Sequence, residues 1–78
     1  MSATAYTFSS VTPSNSVNIA SGPADALWVG VGGDVAVLGR QGEVVTFKNV
    51  PTGSLLLVQT TRINVTNTTA TDIVALFA

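Results

Sequence analysis

Short runs of alternating polar and apolar residues organise this chain, and clusters of Gly, Pro, Asn and Asp separate them. A period of two is the signature of half-buried strands. From Ala26 to Gly53 three such runs follow one another, broken at Gly32-Gly33-Asp34, Arg40-Gln41-Gly42 and Pro51-Thr52-Gly53. Leu27, Val29 and Val31 share one face of the first run, with Trp28 and Gly30 on the other. Val35 and Val37 share a face of the second, opposite Ala36 and Leu38. A Gly-Gly connection suits the positive φ of a short hairpin turn, so these two runs are expected to pair as neighbours in a meander. The third run sets Val45, Phe47 and Asn49 against Val44, Thr46, Lys48 and Val50.

Leu55 to Val65 is the longest apolar segment. Leu55, Leu57, Ile63 and Val65 fall on one side, and Leu56 and Val58 on the other with Thr60 and Arg62. Both faces are apolar at its start, which calls for burial on both sides or for one face given to a partner. Asn64 to Thr71 (NVTNTTAT) is a polar, turn-rich link. Ile73 to Phe77 closes the chain as a strand that is again apolar on both faces. Residues 1–21 read differently, as a polar arm with short edge strands at Tyr6-Thr7-Phe8 and Ser16-Val17-Asn18-Ile19 around a turn at Thr12-Pro13-Ser14-Asn15. Residues 22–78 form one all-β domain. Nowhere does a 3.6-residue period persist. The expected fold is a small antiparallel β-sandwich or barrel-like meander of about six strands, with essentially no helix.

Composition turns this pattern into an argument about assembly. A chain of 78 residues lies near the lower limit for one self-sufficient core, and such chains commonly rely on disulfides, metals or oligomerisation. With no Cys and no His, oligomerisation is the staple left. Only 9% of residues are charged, against roughly 25% in an average domain. Apolar residues therefore exceed what one small core hides, and the candidate subunit or partner interface is Tyr6, Phe8, Trp28, Phe47, Leu56, Val58, Val74 and Leu76.

The same numbers exclude several functions. Arg40, Lys48 and Arg62 are the three cations, too few and too scattered to track a phosphate backbone, so no nucleic-acid partner is expected. No apolar run approaches the roughly 18–20 residues of a membrane-spanning helix. The N-terminal residues lack a secretory pattern, which points to synthesis in a cytoplasm. Without His or Cys the usual general base and thiol nucleophile are missing, and no enzyme is expected. Asp25, Asp34, Glu43 and Asp72 fall in or near expected turns, where carboxylates form local hydrogen bonds. They have no calcium-loop spacing, and no cofactor or metal is expected. Gly30-Val31-Gly32-Gly33 lacks the spacing of a phosphate loop. Asn64-Val65-Thr66 and Asn67-Thr68-Thr69 match the glycosylation pattern as a by-product of composition.

Several pieces, in order, resemble one family. They are Val11-Thr12-Pro13-Ser14-Asn15-Ser16, then Ala26-Leu27-Trp28-Val29-Gly30 and Gly33-Asp34-Val35. Val45-Thr46-Phe47-Lys48-Asn49-Val50-Pro51-Thr52-Gly53 follows, and then Thr68-Thr69-Ala70-Thr71-Asp72-Ile73-Val74-Ala75-Leu76. The set resembles the small spike base proteins of tailed phages, prophages and phage-derived gene transfer agents. The resemblance implies a virion structural protein, oligomeric (trimer or pentamer), that anchors a spike or fibre to capsid or tail proteins. It brings no catalytic residues. Two other readings use the same residues: a capsid cement protein clamping capsid subunits, and a small carbohydrate-binding module built on Trp28.

Overall fold

The computed structural model of the chain describes residues 7–19 and 22–77. Tyr6 and the start of the strand expected around it lie outside the described residues. Seven strands follow in order: β1 (Thr7–Ser10), β2 (Ala26–Val31), β3 (Gly33–Leu38), β4 (Val44–Val50), β5 (Ser54–Leu56), β6 (Ile63–Asn64) and β7 (Thr71–Phe77). They form a four-stranded sheet in the order β1-β7-β2-β5 and a three-stranded sheet in the order β4-β3-β6. Every pairing is antiparallel, and no helix occurs among the described residues. The expected all-β class holds.

The connectivity differs from a meander. β2 and β3 do not pair with each other. They are two halves of one long bent strand, Ala26 to Leu38, passing from one sheet to the other at Gly32. Residues 44–56 accompany it along one side. Leu38 faces Val44, Val37 faces Val45 and Val35 faces Phe47; beyond the bend Val29 faces Ser54 and Leu27 faces Leu56. The only true hairpin of this pair lies at Gly39–Glu43, where the Gly39 N–H donates to the Glu43 carbonyl at 2.6 Å.

The expected Gly32-Gly33 hairpin turn is thus a corner, for a physical reason. The Gly32 N–H donates to Thr52 Oγ1 at 2.8 Å, and the Gly53 N–H donates to the Val29 carbonyl at 2.8 Å. Both long strands bend together there. A Cβ on Gly32 would collide with the Val50 carbonyl oxygen and lie 2.7 Å from the Thr52 nitrogen. Glycine is needed for close approach of two backbones.

On the other side of the bent strand runs the C-terminal segment. Val37 faces Ile63 in the smaller sheet, and Val29 faces Ile73 in the larger. Between these pairings the Asn/Thr-rich link leaves the ladder, and side chains take over its hydrogen bonds. The N–H groups of Asp34 and Ala36 donate to Thr69 Oγ1 and Thr68 Oγ1, each at 2.9 Å. What the sequence presented as a polar loop closes the corner of the fold.

The N-terminal segment lies along the outer side of that C-terminal segment. β1 pairs with β7, and the N–H groups of Val11, Ser14 and Ile19 donate to the carbonyls of Ile73, Ile63 and Thr61. Ser16–Ile19, expected as an edge strand, is not one. Ser14 Oγ accepts from the N–H groups of Ser16 and Val17, and this local turn removes them from any ladder. The expected run from Leu55 to Val65 is likewise broken after Leu56, because Thr60 is drawn inward. The Thr60 hydroxyl is buried between the carbonyls of Leu38 and Arg62, 2.8 and 2.9 Å away, and bridges Ala24 through its backbone.

Leu27, Val29, Ile73 and Ala75 point inward from the larger sheet, and Val35, Val37 and Ile63 from the smaller. Asn49, at φ 57°, marks a bulge that shifts the β3–β4 register between Gly33 and Val35. The extra residue lets both Phe47 and Val50 reach the core, although strict alternation would place them on opposite faces.

Candidate assembly surface

The outward side of the larger sheet follows from its register. Residues directly opposite each other on paired strands share a face. Phe8, Leu76 and Ala26 therefore form one row across β1, β7 and β2. Ser10, Val74, Trp28 and Leu55 form the next row, across all four strands. Six of these seven residues are apolar and none is charged. Val74, Leu76 and Ala26, in the middle, are half-buried; Phe8 (64% exposed), Trp28 (43%) and Leu55 (52%) stand in solvent. Leu57, just past β5, is 78% exposed.

The rows stop at Gly30. A Cβ there would lie 2.7 Å from the Asp72 carbonyl oxygen and 2.8 Å from its Cβ, so glycine is what lets β7 pass. Asp72 itself adopts φ 54°. The apolar patch thus has a polar, sharply bent upper boundary at the corner of the fold.

The eight residues singled out from the sequence divide as follows. Phe8, Trp28, Val74 and Leu76 come together on this one face. Phe47, Leu56 and Val58 are partly buried and pack against the core. Tyr6 lies outside the described residues. Leu55 and Leu57 belong with the exposed group and were missed, because apolar residues on both faces of that run leave alternation unable to choose a side. The register chooses it: Leu55 faces Trp28, while Leu56 faces the buried Leu27.

The ionisable groups serve local structure. Asp34 Oδ1 accepts from the Asn49 N–H at 3.0 Å, and its other oxygen lies 3.7 Å from Lys48 Nζ. Glu43 Oε1 accepts from the Gln41 N–H and Asp25 Oδ1 from Gln59 Nε2. Arg62 Nε donates to Asn64 Oδ1 at 2.9 Å. For Asp25, Asp34 and Glu43 these are local hydrogen bonds of the kind expected of the carboxylates. Among the described residues no three His, Cys, Asp or Glu side chains come together to hold a metal ion. An open groove of about 300 Å³ lies beside the β3–β4 loop, between Leu38, Arg40 and Thr60, and offers one cation and few converging polar groups.

Around Trp28 the two rows supply a single hydroxyl, that of Ser10. A sugar stacked on the indole needs several hydrogen-bond partners in reach. Covering by apolar protein surface needs none.

Fold and surface together define a small all-β domain with an uncharged, largely apolar face on its larger sheet. Among solved structures the chain is similar to a protein described under "Capsid of native GTA particle computed with C5 symmetry", a gene transfer agent particle. The likeness has a TM-score of 0.85 and 34% sequence identity, and covers 94% of this chain and 83% of that one. The chain belongs to the family of that capsid-particle protein and is a structural protein of a phage-like particle. No protein-family model matches the chain, and no curated protein matches it.

Proposed function

We propose that this chain is the oligomeric base that seats a spike or fibre on a phage-like particle. The observation that carries the reading is the uncharged apolar face of the larger sheet, exposed on a chain whose relative is found in a capsid particle. A base must hold neighbours on more than one side, and an exposed apolar patch of this kind often marks an interaction site. Burying Phe8, Trp28 or Leu55 is worth about 1.5–3 kcal/mol each, enough for a few contacts per copy to hold an assembly together. The relative's capsid was computed with C5 symmetry, which favours five copies over three.

The test is a density map of intact particles, compared with particles made without this chain. A base predicts density projecting beyond it that disappears with it, while the shell stays closed. Shells that burst without the chain, with nothing projecting beyond it when present, would establish capsid cement instead. Trp28→Asp should prevent attachment to particles in a pull-down while the purified protein keeps its β-type circular dichroism.

A further inference from the structure

We infer that copies of this chain join edge to edge through the larger sheet, with β1 of one copy pairing against β5 of the next. The inference deepens the base reading and rests on it, since it supposes a closed ring.

A closed ring needs two different surfaces on each copy, placed at opposite ends, so that every copy offers both. β1 and β5 are the two edges of one sheet. The alternating directions of β1, β7, β2 and β5 make a β5-to-β1 junction antiparallel, like every other pair in the molecule. Both edges are short, but neither Thr7–Ser10 nor Ser54–Leu57 contains a charged residue or a proline, two of the devices that keep a free edge from pairing. The most exposed apolar side chains of the face also lie at these two edges: Phe8 on one side, Leu55 and Leu57 on the other.

Edge pairing adds backbone hydrogen bonds, worth about 1 kcal/mol each, and leaves the face free for the particle or the fibre.

The register follows as well. Continuing the β2–β5 pairing by one residue sets Leu57 in the row of Phe8, Leu76 and Ala26, beside the row of Ser10, Val74, Trp28 and Leu55. Pairing Phe8 of one copy with Leu57 of the next, and Ser10 with Leu55, keeps each row in line from copy to copy. Such a head-to-tail contact forms a ring when the rotation from copy to copy closes, and a filament when it does not.

The chain contains no cysteine, so introduced pairs report without background. The double variant Ser10→Cys with Leu55→Cys, oxidised and run on a non-reducing gel, should give a ladder ending at the ring size. Val44→Cys with Val65→Cys, exposed elsewhere, should give none. Light scattering on the unmodified protein accompanies the gel. An oligomer whose Ser10/Leu55 variant gives no ladder, or no more than the Val44/Val65 pair, overturns the edge contact and leaves the base reading standing. A monomer at all concentrations overturns both. Leu57→Asp should weaken the oligomer at least tenfold while the melting of the separated chains is unchanged; an undiminished oligomer would again exclude this edge.

Discussion

The outward sides of the two sheets are made from the same long strands, yet they differ in kind. On the smaller sheet, Val44, Leu38 and Arg62 form one row and Thr46, Ala36 and Asn64 the next. The apolar members there are relieved by an arginine, hydroxyls and an amide, and Thr68 reaches over Ala36. On the larger sheet, one serine hydroxyl interrupts seven positions. Sequence position does not explain this, because β2 and β3 are one continuous strand. The side turned to solvent is tolerant of water, and the side kept apolar is the one proposed to be covered by a partner. A small domain low in charge has thus placed its few polar and charged groups unevenly, and that unevenness carries the functional argument.

Substitutions can break this contrast at decreasing cost. The largest effect is expected one residue away from the exposed face. Leu27→Ala, on the buried side of β2, should cost about 2–5 kcal/mol in urea unfolding, most of the stability of so small a domain. Its neighbour Trp28→Ala loses cross-strand contacts with Val74 and Leu55, about 1–2 kcal/mol in the free chain, and should act chiefly on assembly. Equal losses at Leu27 and Trp28 would mean that the outer face already belongs to the core.

Next comes the corner that divides the two sheets. Gly32→Ala places a methyl group against the backbone of Val50 and Thr52, and about 1–3 kcal/mol of destabilisation is expected from overpacking. The same substitution at Gly42, which has open space around it but φ 86°, carries only the backbone penalty, about 1 kcal/mol. A smaller loss is expected from Thr68→Val, which leaves the Ala36 N–H without its acceptor, at about 1–2 kcal/mol. Smallest is Lys48→Met. Its ion pair with Asp34 is long and its side chain 73% exposed, so thermal melting should move by no more than the equivalent of about 0.5 kcal/mol. Thr46→Asp, on the solvent side of the smaller sheet, should leave particle attachment intact where Trp28→Asp abolishes it.

Much of the fold could be read from residue order, and the failures share a cause. β2, β3, β4 and β7 lie where alternation and turn residues put them, and the buried side of β2 is the predicted one. The corner at Gly32 was mistaken for a hairpin because both demand glycine; only the partner at Thr52, twenty residues on, distinguishes them. Ser16–Ile19 alternates like a strand, but Ser14 supplies a turn that competes for its backbone. The bulge at Asn49 defeats strict alternation by letting Phe47 and Val50 turn the same way. In the candidate surface, Val74 and Leu76 sit on a strand apolar on both faces and take their side from the register, whereas Trp28 was legible, flanked by the inward Leu27 and Val29. Leu55 was not, since its own run is apolar on both sides and the answer lies in its cross-strand partner.

The position of β7 imposes an order of events on a growing chain. β1 has β7 as its only strand partner among the described residues, and the two are separated by sixty residues of sequence. Until Thr71–Phe77 has been made and has reached β2, β1 has no ladder to join, and the larger sheet ends at β2. Pairings this distant form slowly. The edge proposed to greet a neighbour therefore does not exist on a half-made chain. Nascent copies held side by side on ribosomes that share one message would all be mute, and each would become competent to join others only when its own β7 is in place.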